Sequence, residues 1–210
     1  MRLIVTRPAG QEQELMSRLE ALGHEVTHCP LIRVEPVGDD PIEVGSYDWV
    51  VVTSQNGARE LLRRASGRMP LVAAIGQATA AIMGHADLVA RVSTQEGLLQ
   101  EFPRPAGRVL VAGAEGARRV LADGLAADFI ALYRTHELRP EPAPVGDLCL
   151  LASASAARSF GALETGIPAV SIGPETTRAA RTVGVEILAE ATTHDVDGLV
   201  RAVAQLAAPA

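Results

Sequence analysis

No lysine occurs anywhere in the 210-residue chain; all nineteen basic residues are arginine. That absence excludes whole chemistries. A Schiff base to the protein is impossible, which removes pyridoxal-phosphate enzymes and lysine aldolases. The phosphate-binding lysine of a P-loop is impossible too. Aromatic residues are scarce, at 3 %, so Ala, Val, Leu and Gly must build the interior. Such small side chains suit sheets and helices packed closely, as in α/β proteins. The two cysteines, Cys29 and Cys149, each sit in an apolar run, and neither has metal-ligand spacing. They read as buried free thiols. The five histidines (His24, His28, His85, His136 and His194) are scattered along the chain with no cluster of three, and no metal site is expected. No apolar run approaches the roughly 18 residues that span a bilayer. Met1-Arg2-Leu3-Ile4-Val5 enters a strand without a signal-peptide core. The net charge of −6 argues against a nucleic-acid partner, which calls for a basic face. The expected setting is the cytoplasm, with no membrane and no nucleic acid.

What the chain does have is apolar residues, at 48 %, enough for a proper core. Short aliphatic or β-branched runs at 3–6, 49–53, 71–75, 109–111, 148–151 and 169–172 read as buried parallel strands. Amphipathic stretches at 11–22, 58–64, 78–83, 118–126, 156–163 and 177–183 read as the helices between them. Strand alternating with helix implies parallel sheets covered on both faces.

The chain also repeats itself. Val51-Val52-Thr53-Ser54 matches Leu150-Leu151-Ala152-Ser153, at an offset of 99 residues. Ala74-Ile75-Gly76-Gln77-Ala78-Thr79 matches Ser171-Ile172-Gly173-Pro174-Glu175-Thr176 at 97, and Glu96-Gly97-Leu98-Leu99 matches Asp197-Gly198-Leu199-Val200 at 101. Near-constant offsets across three blocks point to a duplicated α/β unit. The segments at 30–37 and 132–138 differ from the rest, with short apolar-charged alternation beside Pro or Gly. They suit exposed antiparallel strands or linkers, where the chain crosses between lobes. The expected architecture is two similar parallel-sheet lobes, flavodoxin- or Rossmann-like, joined by a two-stranded connector with a cleft between them. The first lobe is discontinuous, 1–32 with 146–210; the second spans 40–131; the connector is 33–39 and 132–145.

Open parallel sheets bind ligands at the carboxyl ends of their strands. Thr53-Ser54-Gln55-Asn56, Ser153-Ala154-Ser155, Gly76-Gln77-Ala78-Thr79 and Gly173-Pro174-Glu175-Thr176 each follow a strand and open a helix. Their hydroxyls are either plain helix caps or ligand contacts. Several helix N-termini on one edge would offer N–H groups and positive dipole ends to a polyanion. Arg7, Arg134, Arg158 and Arg178 lie near these edges; Arg59, Arg63, Arg64, Arg118 and Arg119 read as solvated helix faces. Tyr133, one of two tyrosines, either packs the crossing segment or faces the cleft as a proton donor.

Further blocks complete a pattern: Val5-Thr6-Arg7-Pro8, Cys29-Pro30-Leu31-Ile32, Val52-Thr53-Ser54-Gln55-Asn56-Gly57, Leu132-Tyr133-Arg134-Thr135 and Ser171-Ile172-Gly173-Pro174-Glu175-Thr176-Thr177. Together with the Gly76 block, in this order and over nearly the whole chain, they resemble the uroporphyrinogen-III synthase family. The resemblance implies a lyase with no metal and no organic cofactor. Its substrate would be hydroxymethylbilane, a linear tetrapyrrole with many carboxylates. Loss of the ring A hydroxyl gives an azafulvene cation; ring D attacks through its substituted carbon; a spiro intermediate fragments and recloses with ring D inverted. Tyr133 matches the family's cleft tyrosine, the acid for the leaving hydroxyl. Thr6, Arg7, Ser54, Gly76, Thr79, Ser153, Gly173, Thr176 and Thr177 match substrate-binding positions. A transient contact with the preceding pathway enzyme goes with this reading. Gly113-Ala114 departs from the family, where many members carry Arg-Gly. Two rivals remain: a non-catalytic two-lobed small-molecule binding or sensor protein, and an enzyme on phosphorylated substrates.

Overall fold

Strands and helices alternate along the computed structural model, which describes residues 1–207; residues 208–210, assigned above to the first lobe, lie outside the described residues. In chain order they are β1 (Arg2–Val5), α1 (Gln13–Ala21), β2 (Glu25–His28), β3 (Ile32–Pro36), β4 (Ile42–Glu43), β5 (Trp49–Val52), α2 (Gln55–Arg64), β6 (Ala65–Ser66) and β7 (Leu71–Ala74). There follow α3 (Gln77–Met83), β8 (Leu88–Val89), α4 (Gln95–Glu101), β9 (Val109–Ala114), α5 (Val120–Leu125), β10 (Asp128–Glu137) and β11 (Leu148–Leu151). The last are α6 (Ala154–Gly161), β12 (Ala169–Ser171), α7 (Pro174–Thr182), β13 (Ile187–Glu190) and α8 (Val196–Ala207). Each of the six expected strands and six expected helices has an element at its place.

The chain divides into two compact units: a first of residues 1–33 with 136–210, and a second of 34–135. The first holds a five-stranded sheet in the order β13-β12-β11-β1-β2, with every neighbouring pair parallel. That is the flavodoxin-like order, with its switch point between β1 and β11. The second unit repeats it as β8-β7-β5-β9-β10, again all parallel, with β3 added beside β10. Its switch point falls between β5 and β9. The two units are permuted relative to each other: the β-α-β piece opens the chain in one (β1-α1-β2) and closes the unit in the other (β9-α5-β10). The chain passes from unit to unit within β3 and within β10. A short parallel pair, β4 with β6, completes the second unit.

Alternation along each strand supplies both faces of each sheet. Leu3, Val5, Leu148 and Leu150 pack with Leu15 and Leu19 of α1 and Leu199 and Val203 of α8. Ile4, Cys149 and Leu151 point the other way, onto Phe160 of α6 and Ala180 of α7. In the second unit Val50, Val52, Leu110 and Ala112 meet Leu61 of α2, while Val51, Val109 and Val111 meet Leu98 of α4 and Leu121 of α5. Strands buried on both faces read as unbroken apolar runs, which is why they are legible. No helix among the described residues is long and apolar enough to cross a membrane.

Cys149 lies fully buried on β11, and Cys29 is partly buried. Burial pushes both thiols up, away from the reactive thiolate. A thiol reagent at neutral pH is expected to label Cys29 slowly and Cys149 only after unfolding. Mass spectrometry of native and denatured protein checks this; rapid native labelling of Cys149 would contradict the packing.

Candidate active site

Parallel strands bring their carboxyl ends to one edge of each sheet, and the helices that follow start there. In the second unit, β5 is followed by Thr53 and Ser54, and Ser54 caps α2. Its backbone is extended and its Oγ accepts from the Gly57 N–H at 3.0 Å. The same oxygen lies 2.8 Å from the Tyr133 hydroxyl. Tyr133 comes from β10, two strands away, and reaches Ser54 over the end of β9. The pair therefore stands at the switch point of this sheet, where ligands of such folds bind.

Three local features make that reach possible. The β10–β9 register shifts between Ala131 and Tyr133, placing Tyr133 opposite Ala114. A bulge of this kind re-aims a side chain, and here the consecutive Leu132 and Tyr133 are both buried. Gly57 leaves room for the Ser54 hydroxyl: a Cβ there would stand 3.1 Å from Ser54 Oγ, a tight contact, and 3.8 Å from the Tyr133 ring, an ordinary one. Gly113 brings β9 close to the loop that follows β5, since its Cβ would stand 3.0 Å from Thr53 Oγ1.

Burial pushes the Tyr133 phenol above its ordinary pKa, and the hydrogen bond with Ser54 pulls the other way. The group is neutral at physiological pH and can donate a proton. Gly76 and Thr79 stand on the same carboxyl edge, at the start of α3 after β7; Thr79 is buried.

The first unit presents a matching edge. Ser153 caps α6, accepting from the Ala156 N–H at 3.1 Å. Thr6, just after β1, is fully buried and donates to the Leu150 carbonyl at 2.7 Å. The Arg7 carbonyl lies 2.9 Å from His28 Nε2. Gly173 opens α7, on which Thr176 and Thr177 are buried. The Thr177 hydroxyl donates to the Glu190 carboxylate and lies 2.5 Å from Ser171 Oγ. Of the arginines singled out beside these edges, Arg134 pairs with Glu115 at 2.8 Å, Arg158 with Glu137 at 3.0 Å and Arg178 with Glu175 at 3.0 Å. Glu175, a carboxylate in the first turn of α7, is thus held by an arginine on the next turn.

Residues 13–201 match the family model described as uroporphyrinogen-III synthase HemD. The chain belongs to the uroporphyrinogen-III synthase family. The uroporphyrinogen-III synthase of Synechococcus elongatus is 24 % identical over 250 residues, covering 98 % of this chain and 95 % of that one. That of Escherichia coli is 33 % identical over 147 residues, 60 % of each chain. The crystal structure of a mutant uroporphyrinogen III synthase from Thermus thermophilus has a TM-score of 0.66 at 17 % identity, over 98 % of both chains. The uroporphyrinogen-III synthetase of Helicobacter pylori has a TM-score of 0.62 at 16 % identity, over 98 % of this chain and 100 % of that one. These structures support the fold.

Within this uroporphyrinogen-III synthase family fold, two further side chains stand at the carboxyl edges that the sequence reading passes over. Ser93 fills the space beside Gly76, where a Cβ would come within 2.6 Å of its Oγ. His194 fills the same place beside Gly173, where a Cβ would come within 2.8 Å of its ring. The residues after them, Thr94 and Asp195, accept from the N–H groups of Gly97 and Gly198 at 3.0 and 2.7 Å. Ser93 and His194 are 101 residues apart, the offset of the third repeated block. That block was the signal that could have found them.

Proposed function

We propose that this chain catalyses the cyclising dehydration of hydroxymethylbilane to uroporphyrinogen III, with inversion of ring D, in tetrapyrrole biosynthesis in the cytoplasm. The observation that carries the reading is the Ser54–Tyr133 hydroxyl pair at the switch point of the second unit, in a chain of this family. Tyr133 is the acid. Its phenol gives a proton to the ring A hydroxyl as the C–O bond breaks, water leaves, and the azafulvene cation forms. The electrons that close the ring are the substrate's own, so the protein mainly places rings and assists departure. Ring D finally bonds through its unsubstituted carbon, which releases a proton, so the net change is loss of one water.

The carboxyl-edge loops hold the substrate carboxylates: Thr6-Arg7, Ser153 and Gly173 with Thr176 and Thr177 in the first unit, and the backbone N–H groups of the Ser54 loop and Gly76 with Thr79 in the second. The hydroxyls of Thr6, Ser153 and Thr177 are already engaged within the protein. Backbone N–H groups at the helix starts therefore carry most of the binding. The two units act as the lobes of the family fold, with 33–39 and 132–145 as connecting segments, and the enzyme that makes the linear tetrapyrrole is a transient partner.

The test is a coupled assay. Freshly generated hydroxymethylbilane is supplied, the products are oxidised, and isomers I and III are resolved by chromatography. Isomer III in excess of the protein-free control is expected. Isomer I alone, from folded protein, would overturn the proposal in favour of a non-catalytic binding protein.

A further inference from the structure

We propose that Ser54 is a positioning residue for Tyr133: it directs the phenol proton away from α2, toward the reacting hydroxyl, and steadies the phenolate left behind. The inference rests on the acid role of Tyr133 above. Ser54 Oγ has one hydrogen and two acceptor sites. One acceptor site takes the Gly57 N–H at 3.0 Å, and the Tyr133 hydroxyl lies 2.8 Å away. With Ser54 donating, the phenol's own hydrogen is left unengaged and can be given to a substrate. With Tyr133 donating, the phenol proton is turned inward, and the acid is lost.

The capping bond favours the first arrangement. Accepting from a backbone N–H polarises the Ser54 O–H and makes it a better donor. Gly57 lies in the first turn of the ten-residue α2, so the chain Gly57 N–H, Ser54 O–H, Tyr133 Oη carries the positive end of that helix to the phenol. As Tyr133 gives up its proton, negative charge develops on Oη, and the Ser54 bond becomes charge-assisted and stronger. An interaction that strengthens in the transition state raises turnover rather than ground-state binding. The phenolate recovers a proton from the ring D carbon that releases one, so the cycle closes without another reactant.

Five substitutions in the full chain separate this from a structural or substrate-binding role. Ser54→Asp keeps a capping oxygen for the Gly57 N–H, but an ionised carboxylate has no hydrogen to donate and accepts from Tyr133 instead. Its kcat for isomer III is expected to fall about 100-fold, at the low end for loss of a positioned acid, with KM within about threefold and the protein folded by circular dichroism. Ser54→Ala removes cap and donor together, and Ser54→Thr, which keeps both, restores activity relative to it. In a Tyr47→Phe background, Tyr133 is the remaining tyrosine, and its phenolate absorbance reports it directly. Ser54→Ala moves that titration to higher pH; a cap with no tie to the phenol would leave it in place.

Ser54→Asp as active as Ser54→Thr would overturn the inference. So would a raised KM at unchanged kcat, which marks a substrate-carboxylate contact. An unmoved phenol titration would overturn it as well. Tyr133→Phe separates the two levels: if it is impaired while Ser54→Asp is active, only the role of Ser54 fails. If Tyr133→Phe is fully active, the acid assignment itself fails.

Discussion

Tyr133→Phe is expected to lower the rate of isomer III formation by about 100- to 10,000-fold, the usual worth of a positioned general acid. That is about 3 to 5 kcal/mol in the barrier. The loss should fall on kcat, because the hydroxyl acts on a bond that breaks only in the transition state. Stability should change little by comparison. The ring stays packed with Val52, Leu110 and Leu132, and one hydrogen bond is removed, worth about 1 kcal/mol. For a chain of this size that is about 2–4 °C in Tm. Isomer ratio separates acid from shape. If Tyr133 only placed ring D, the residual enzymatic product would drift toward isomer I. If it is the acid, the residual product stays isomer III, above a spontaneous background of I. The pH profile has a defined sign. A phenol donates only while protonated, so activity falls as pH rises through its pKa. Burial raises that pKa, so the alkaline limb should lie above the ordinary tyrosine value and vanish in the Phe variant. The isomer-resolved assay across pH, with a thermal melt of each protein, checks all three. Activity within twofold of the parent protein would end the acid assignment.

The parts of this molecule that could be read from its sequence are those where one kind of force decides. β1, β5 and β11 are buried on both faces, so hydrophobicity alone marks them. β2 and β13 were passed over because they are sheet edges of four residues, with Glu25, Thr27 and Glu190 turned outward. α4 and α8 appeared as a repeated block but not as helices, because a glycine stands in the first turn of each. Arg64 read as solvated; it is buried instead and donates to the carbonyls of Val37 and Asp40 at 2.8 and 2.9 Å. A long aliphatic stem lets an arginine do this, and nothing local signals it. The site divides the same way. Ser54 and Ser153 were legible as caps, since a serine after a strand and three residues before a helical N–H is a local pattern. The Ser54–Tyr133 bond was not, because it joins residues 79 apart in sequence through a bulge with no sequence signature. From the sequence Tyr133 is either a packing residue or a proton donor, and the family resemblance implies the second; the physical reason for its reach lies in the β10 register.

Gly198→Ala is expected to destabilise the protein by roughly 2–4 kcal/mol, against the usual sign. In an exposed helix the same change stabilises by about 1 kcal/mol, because alanine loses less entropy. Gly198 sits in the first turn of α8, where only packing can reverse that preference. A Cβ there would stand 1.9 Å from the Thr193 carbonyl oxygen and 2.7 Å from its Oγ1. The first contact is with backbone, so no rotamer change relieves it, and the segment entering α8 must move. That segment is held in place. Thr193 donates to Asp195 at 2.7 Å, Asp195 accepts from the Gly198 N–H, and Arg201 donates to Thr193 at 2.6 Å. Moving Thr193 breaks the cap as well as crowding the turn. It also shifts His194, which lies against Gly173 at the start of α7, so stability and the first unit's carboxyl edge should suffer together. Gly116→Ala is the control: nothing lies within 4 Å of its Cβ position and its backbone is not in the left-handed region, so the change should be neutral or slightly stabilising. Thermal melts should place Gly198→Ala roughly 4–16 °C below the parent and Gly116→Ala level with it or above. Equal Tm values for the two variants would mean that the entry to α8 yields freely, and that the glycine in the repeated block is not required by packing.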